Sequence, residues 1–245
     1  MNSFDAGIIS LFNALARRSL TFDTLVFLLG SNFILKGGVI AALIWWTWFR
    51  EGQREKDREY LLFGISAGFL ALLAARVLAT VLPFRERPLR NPLLHFQLPY
   101  GGVTETTLLG WSSFPSDHAV LYFALATTLV FVSRGVGIFA LVHAVFVISL
   151  PRIYMGIHYP TDLIAGALIG SGAAALGKIA RVRTAVVGPL LQRLRKYPGL
   201  FYACFFAASF QIATGFGPSI ELARFALAVA KAVFWRAVQE AAWRH

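Results

Sequence analysis

The chain has 245 residues, of which 57% are hydrophobic and only 14% are charged, and its mean hydropathy is +0.64. Soluble domains have about a quarter of their residues charged, so this composition excludes an ordinary soluble protein and indicates an integral membrane protein. The formal net charge of +11 is typical of basic residues at the ends of membrane spans, and we expect no nucleic-acid partner. A single cysteine, Cys204, excludes an internal disulfide.

The predicted elements are all helical, because the apolar windows have the length of a transmembrane helix and barrel-like alternation is absent. The first, 4–16, has an apolar stripe that ends at Arg17 and Arg18, which favours a helix lying in the membrane interface. Six spans follow, at about 33–49, 60–82, 116–132, 136–151, 160–177 and 199–216. The first of them closes on three tryptophans that are typical of an interfacial aromatic belt (Trp45, Trp46 and Trp48).

These elements predict an all-α polytopic membrane helix bundle with about six transmembrane helices and an N-terminal interfacial helix. We expect three regions: an interfacial segment at 1–32, a core at 33–177, and a C-terminal region at 178–245 with a basic loop, a span and an amphipathic helix. Segment 178–197 has six basic residues and no acidic one, which indicates the cytoplasmic side. Counting spans backwards then puts 83–115 and 152–159 together on the extracytoplasmic face.

The strongest chemical signal is the segment 152–162, which places Arg152, His158 and Asp162 within eleven residues between two apolar stretches. Ionisable groups are expensive near lipid, so a cluster of three indicates function. Pro160 predicts a helix start. Asp162 then lies in the first turn, where it can face His158. A histidine held by a carboxylate is an activated nucleophile or base.

Two further polar pieces belong to the same predicted face. Ser116 and His118 lie at the start of the third span, where free backbone N–H groups and the helix dipole favour a phosphate oxygen. Arg87, directly after the second span, can clamp phosphoryl oxygens together with Arg152, since a guanidinium fork suits that geometry. The residues alone do not decide which histidine is the nucleophile and which is the acid.

In this order, the three pieces resemble the motifs of the type 2 phosphatidic acid phosphatase family, the membrane lipid phosphatases related to vanadium haloperoxidases. The family motifs read Lys-x6-Arg-Pro, Pro-Ser-Gly-His and Ser-Arg-x5-His-x3-Asp. Here they stand as Arg87-Pro88, Pro115-Ser116-Asp117-His118 and Pro151-Arg152-x5-His158-x3-Asp162. The resemblance covers about 76–162 by motif and 33–177 by span layout, and it is greatest to bacterial undecaprenyl pyrophosphate phosphatases.

The sequence departs from the family pattern at three positions. Thr80 stands where the family lysine is expected, and either Arg76 or Arg85 is positioned to reach the phosphate instead. Asp117 replaces the motif glycine and adds a negative charge beside an anion site. Pro151 replaces the serine and removes one phosphate donor.

The resemblance implies hydrolysis of a lipid phosphate or diphosphate through a phosphohistidine. In that scheme His158 attacks phosphorus, Asp162 holds its imidazole, and His118 protonates the leaving oxygen and later activates water. The phosphate-binding set comprises Arg87, Arg152 and Ser116, with Arg76 and Arg85 as candidates. No metal or other cofactor is expected, because the arginines favour an anion over a metal site built from the two histidines and the aspartate.

The expected substrate is undecaprenyl pyrophosphate, hydrolysed at the extracytoplasmic face of the inner membrane. The enzyme alternatives are a phosphatidylglycerophosphate, phosphatidate or lipid A phosphatase, or a lipid phosphotransferase. From a different class, the chain can be a transporter or a non-catalytic lipid-binding subunit. Apart from membrane lipids and the lipid substrate, the sequence predicts no partner, and it does not determine the oligomeric state.

Overall fold

In this computed structural model the chain is helical, and the structure describes residues 2–52 and 54–242. Positions 1 and 243–245 of the predicted regions 1–32 and 178–245 lie outside the described residues, and so does position 53, between the first two predicted spans. The prediction of an all-α fold is confirmed, and the described residues contain no strand. The α-helices are α1 (Ser3–Asn13), α2 (Leu20–Ser31), α3 (Val39–Phe49), α4 (Arg54–Val81), α5 (Asp117–Val132), α6 (Arg134–His143), α7 (Leu150–Tyr154), α8 (Pro160–Ala175), α9 (Ala180–Lys196), α10 (Pro198–Thr214) and α11 (Gly217–Ala242).

Several of these helices have the length and hydropathy of membrane spans. Within the described residues, two are sufficient by themselves: Glu55–Val81, and Arg134–Tyr154, which continues from α6 to α7 through a π-helical segment. Three bent pairs qualify when each pair is taken as one span: α2 with the α3 region, α8 with α9, and α10 with α11. The helix α5 is apolar but shorter. The structure thus supports up to five spans by this measure, and the count of six stays a prediction.

The helix α5 lies at the centre of the bundle and packs against α4, α6 and α8. Its apolar residues are buried on every side, as expected for a helix that is hydrophobic all round. Gly166 and Gly170 of α8 face it, and a side chain at Gly170 would overlap the Val120 carbonyl. Small residues four apart let two helix backbones approach closely. This contact places the N-termini of α5 and α8 side by side.

Two bends close the bundle around this pair of N-termini. A π-helical segment, Ile34–Gly38, continues directly into α3. The chain turns by 57° between α2 and this combined helix. It turns by 96° between α10 and α11, where Gly215 has a left-handed backbone with φ of 59°. Both bends therefore bring a helix corner next to the start of α5.

The tryptophans at the end of α3 correct the prediction of an interfacial aromatic belt. Trp48 is fully buried and packs against Phe205, while the Trp45 indole N–H donates to Ser209 Oγ at 2.8 Å. Only Trp46 is largely exposed, at 57%. The reason is that α10 folds back along α3, so two of the three rings pack in the protein core.

Candidate active site

The three sequence motifs meet at one end of the bundle, around a cavity of about 650 Å³. His118, His158 and Arg87 all line it, although they come from three separate stretches of the chain. Helix α5 begins at Asp117, so His118 lies in its first turn, as predicted. His158 lies in the loop that joins α7 to α8.

The ring of His158 is held through its Nδ1 atom. Nδ1 lies 2.9 Å from the carbonyl oxygen of Ser113 and 3.5 Å from Asp162 Oδ2. Both neighbours accept hydrogen bonds, so Nδ1 carries the proton and Nε2 keeps its lone pair. From the sequence, Asp162 alone is expected to orient the ring of His158, whereas in the structure the Ser113 carbonyl is the nearer partner. Burial lowers the pKa of His158 to about 4, outweighing the hydrogen bond and charge of Asp162, which raise it. The imidazole is therefore neutral at physiological pH.

Asp162 is completely buried in the first turn of α8, and its oxygens are all engaged. Oδ2 accepts from the Tyr159 backbone N–H at 2.8 Å, and Oδ1 accepts from Arg85 NH1 at 2.5 Å. The Asp162 carbonyl accepts from the Ser116 backbone N–H at 3.1 Å, which ties the starts of α5 and α8 together. The carboxylate is therefore fixed beside His158.

Arg85, a candidate phosphate ligand in the sequence, pairs with two carboxylates in the structure. Besides Asp162, it donates to Thr161 Oγ1 at 2.9 Å and to Asp5 Oδ2 at 2.7 Å. Asp5 is completely buried and also accepts from the Thr161 backbone N–H at 3.0 Å. This arrangement makes Arg85 a link between α1 and the carboxylate beside His158. A role for Asp5 was not predicted from the sequence, although Asp5 is the only acidic residue in the apolar stripe of 4–16.

Arg87 and Arg152 are both buried, but they are placed differently. Arg87 lines the cavity and donates to the carbonyls of Ile157 at 2.6 Å and Ser112 at 3.2 Å. Burial lowers its pKa to about 10, so it stays a cation at neutral pH. Arg152 donates to the Ile148 carbonyl one turn earlier and does not line this cavity.

Arg76 pairs with Asp117, the residue that replaces the glycine of the family motif. Arg76 also lines the cavity and stacks its guanidinium 4.6 Å above the Trp111 ring. The negative charge that Asp117 adds beside the anion site is therefore compensated. Thr80, at the position of the family lysine, is exposed and donates to the Val77 carbonyl at 2.7 Å. Its side chain does not line the cavity.

Four buried side-chain polar atoms have no hydrogen-bond partner in the part of the chain that the structure describes: Arg87 Nε, Ser113 Oγ, Ser116 Oγ and Asp117 Oδ1. Each such atom costs about 1–3 kcal/mol when it is left unpaired, so they are rare in folded proteins. All four belong to the sequence motifs or to the residue that holds His158. Three of them can donate, which favours an anionic ligand with several oxygens. Ser113 was not predicted from the sequence because it lies two positions before Pro115, the first residue of the recognised motif.

The corner between α10 and α11 forms one wall of the cavity. Thr214, Gly215 and Phe216 line it, and a Cβ on Gly215 would lie 3.2 Å from His118 Nε2. The sequence motifs assign no functional role to 198–245. In the structure, this corner packs directly against one of the two histidines.

No group of three or more His, Cys, Asp or Glu side chains within the described residues is arranged to hold a metal ion. The expectation of metal-independent chemistry stays a prediction, and a chelator experiment tests it.

The PAP2 superfamily model matches residues 59–183. The chain is 29% identical over 119 residues to the bacitracin transport permease protein BcrC of Bacillus licheniformis, which covers 47% of this chain and 52% of that protein. It is 24% identical over 162 residues to the undecaprenyl-diphosphatase BcrC of Bacillus subtilis, covering 66% and 76% respectively.

A shorter match has higher identity. The chain is 48% identical over 63 residues to the lipid A 4'-phosphatase of Bacteroides thetaiotaomicron, which covers 25% of this chain and 28% of that protein. The chain therefore spans about half the length of the Bacillus licheniformis relative and less of this one. No solved structure matches the chain.

Proposed function

The chain belongs to the PAP2 superfamily, and from that premise we propose that it is a membrane phosphatase that hydrolyses a polyprenyl diphosphate through a phosphohistidine. The observation that carries the proposal is the group of buried, unpartnered donors beside two histidines. Arg87 lines the cavity, so a phosphoryl oxygen bound there can accept from its Nε atom. Ser113 and Ser116 are fully buried and do not line the cavity, but Ser113 holds His158 and Ser116 precedes the first turn of α5. Donors that are fixed before the substrate binds stabilise charge in a transition state without further reorganisation.

In the first step, His158 Nε2 attacks the terminal phosphorus, and the bond from phosphorus to the leaving oxygen breaks. His118 donates its proton to that oxygen. The neutral state of His158 supports its role as nucleophile, since only an imidazole with a free lone pair can attack. The charge on the transferred phosphoryl oxygens is stabilised by Arg87 and the N-terminus of α5. Arg152 does not line the cavity, so it acts only through its positive charge at longer range.

In the second step, a water molecule replaces the imidazole. His118 accepts a proton from the water, the water oxygen attacks phosphorus, and the P–N bond breaks to release inorganic phosphate. Asp162 and the Ser113 carbonyl keep the proton on His158 Nδ1 throughout. Arg85 and Asp5 are positioning residues in this scheme, because they hold Asp162 and do not reach the phosphate.

The substrate class rests on the cavity and on the relatives. Its wall includes Phe69, Leu72 and Leu121, and it reaches Leu73, which is 62% exposed on the outer surface of the bundle. An apolar tail can therefore extend from the site towards lipid. The Bacillus subtilis relative is named as an undecaprenyl-diphosphatase. We accordingly propose undecaprenyl diphosphate as substrate, with the site at the extracytoplasmic face of the inner membrane.

A second candidate is a lipid phosphomonoesterase. It is favoured by the similarity to the lipid A 4'-phosphatase, which has the highest identity of the relatives described, although over a short segment. A phosphotransferase would use the same phosphohistidine and resolve it with an alcohol group in place of water.

The test is phosphate release from undecaprenyl diphosphate by the purified full chain in detergent, with excess EDTA. We expect release by the parent protein, and a loss of about 10⁴-fold or more in His158→Ala, as for other lost nucleophiles. His118→Ala should accumulate an acid-labile phosphoprotein, because hydrolysis of the intermediate lacks its base. Equal release by parent and His158→Ala would refute the mechanism. Release from lipid A or phosphatidate alone would favour the second candidate.

A further inference from the structure

Lys36 is a buried cation in the wall of the catalytic cavity that the motif analysis did not use. Its residue is 5% exposed, and it lines the cavity together with His118 and Arg87. No carboxylate in the described part of the chain lies within ion-pair distance of its ammonium group, which lies 5.2 Å from the centroid of the Phe33 ring. A buried ammonium group without a counter-charge is costly, so its presence indicates an anionic ligand.

The backbone at Lys36 is held in place from several sides. It lies in the π-helical segment Ile34–Gly38, and π-helical turns are frequent at functional sites. The Lys36 carbonyl is 3.0 Å from His143 Nε2, a hydrogen bond between residues 107 positions apart. Gly37 has no room for a side chain, because a Cβ atom there would overlap the Tyr122 hydroxyl and the Ile212 carbonyl. The side chain of Lys36 is therefore presented from a rigid turn.

This turn borders the same corner as His118. The Tyr122 hydroxyl donates to the Ile212 carbonyl at 2.7 Å, and it also lies close to Gly215, which contacts His118. Lys36 therefore approaches the cavity from the side of the proposed general acid. Arg76 of α4 also lines the cavity, but it is already paired with Asp117. Of these two, Lys36 is the one with its charge left for a ligand.

We propose that Lys36 binds the leaving phosphate of a diphosphate substrate; this rests on the proposed function and extends it to substrate selection. When His158 attacks the terminal phosphorus, the bond to the bridging oxygen breaks, and negative charge develops on that oxygen, which belongs to the leaving lipid monophosphate, until His118 protonates it. An ammonium beside His118 stabilises this charge. A monophosphate substrate has an alcohol as its leaving group, with no phosphate there for Lys36 to bind. Lys36 therefore favours diphosphates over monophosphates.

The first experiment compares Lys36→Met, Lys36→Arg and the control Lys178→Met in the purified full chain. Lys178 also lies over an aromatic ring, 4.7 Å from Phe131, but it is exposed and does not line the cavity. With a polyprenyl diphosphate, Lys36→Met should lower kcat/KM by about tenfold to a hundredfold, the range for a lost charge-assisted hydrogen bond. With the monophosphate of the same chain length it should change far less. Lys36→Arg should restore most of the diphosphate activity.

The ratio of the two activities within each variant makes the test independent of how much protein folds. A Lys36→Met variant with the parent's ratio overturns the proposal and leaves the proposed function intact, whether both activities fall equally or neither changes. The control Lys178→Met should keep the parent's ratio.

A second measurement does not depend on turnover. Inorganic pyrophosphate should bind to the His158→Ala protein, detected by calorimetry, and adding Lys36→Met should weaken that binding by about tenfold or more. If the parent releases no phosphate from any lipid, the proposed function fails, while Lys36-dependent pyrophosphate binding still supports the anion subsite. Pyrophosphate binding that is unaffected by Lys36→Met overturns the subsite.

Discussion

The two ends of the helix bundle use the same charged residue types in opposite ways. At the end with the cavity, Asp5 and Asp162 are completely buried and share Arg85. At the other end, where α4 begins and α9 runs alongside it, Arg195 and Glu55 are 3.4 Å apart, with side chains 74% and 84% exposed. Arg183 and Glu59 pair nearby. Asp57, which pairs with Arg50 at this second end, is also buried, so the ends differ in the complete burial of Asp5 and Asp162 and in the largely exposed pair of Arg195 with Glu55.

The difference shows where the fold tolerates a costly arrangement. Buried charges lose their hydration, and they are retained where removing one partner would leave the other unpaired. Exposed pairs are screened by water and contribute little. The unpartnered atoms Arg87 Nε, Ser113 Oγ and Ser116 Oγ all lie at the cavity end, which is consistent with binding of a ligand there.

The largest difference in kcat/KM between the two ends is expected for two arginines with similar backbone contacts. Arg87 and Arg183 each donate to a backbone carbonyl at 2.6 Å, but only Arg87 lines the cavity. Arg87→Lys keeps the charge and loses the planar fork, so kcat/KM should fall by about 10²-fold or more. Arg183→Lys should leave kcat/KM unchanged. Similar losses in both variants, measured as phosphate release at matched protein stability, would break the distinction between the two ends.

A smaller effect is expected when a buried carboxylate is compared with an exposed one. Asp5→Asn removes the charge that pairs with Arg85 and the acceptor for Thr161, and it should destabilise the protein by about 2 kcal/mol. Glu55→Gln should change stability by less than about 0.5 kcal/mol, because its pair is largely exposed. Thermal unfolding in detergent measures both. An Asp5→Asn protein as stable as the parent would show that α1 contributes little to fixing Asp162.

The smallest expected effect concerns a modest fall in pH, from 7 to 6. Burial lowers the pKa of His158 from 6.5 to about 4, so the unfolded chain binds this proton more readily than the folded one. The stability contributed by neutral His158 is therefore fully present above pH 6.5 and is lost as the pH falls towards 4. Nitrogen NMR of labelled histidines, assigned with His158→Ala, should show its ring neutral at pH 6. A ring that titrates near 6.5 would contradict the proposed buried environment.

The sequence by itself determined the all-helical fold, because long apolar windows leave no other way to satisfy backbone hydrogen bonds in lipid. It also predicted that His118, His158 and Arg87 share one site, and the structure brings all three to one cavity. The spacing of the third motif also predicts that Asp162 lies beside His158. Both residues are close in the chain, and the helix start at Pro160 is a local property.

Only the tertiary structure decided which groups surround those residues. The contact between Arg85 and Asp5 joins positions 80 residues apart, and that between Asp5 and Thr161 joins positions 156 apart. Lys36 reaches the cavity because a π-helical segment and a packed glycine turn it inwards. Trp48 is buried because α10 folds back on α3. Hydropathy and motif spacing describe local segments, whereas these contacts depend on how distant helices pack together.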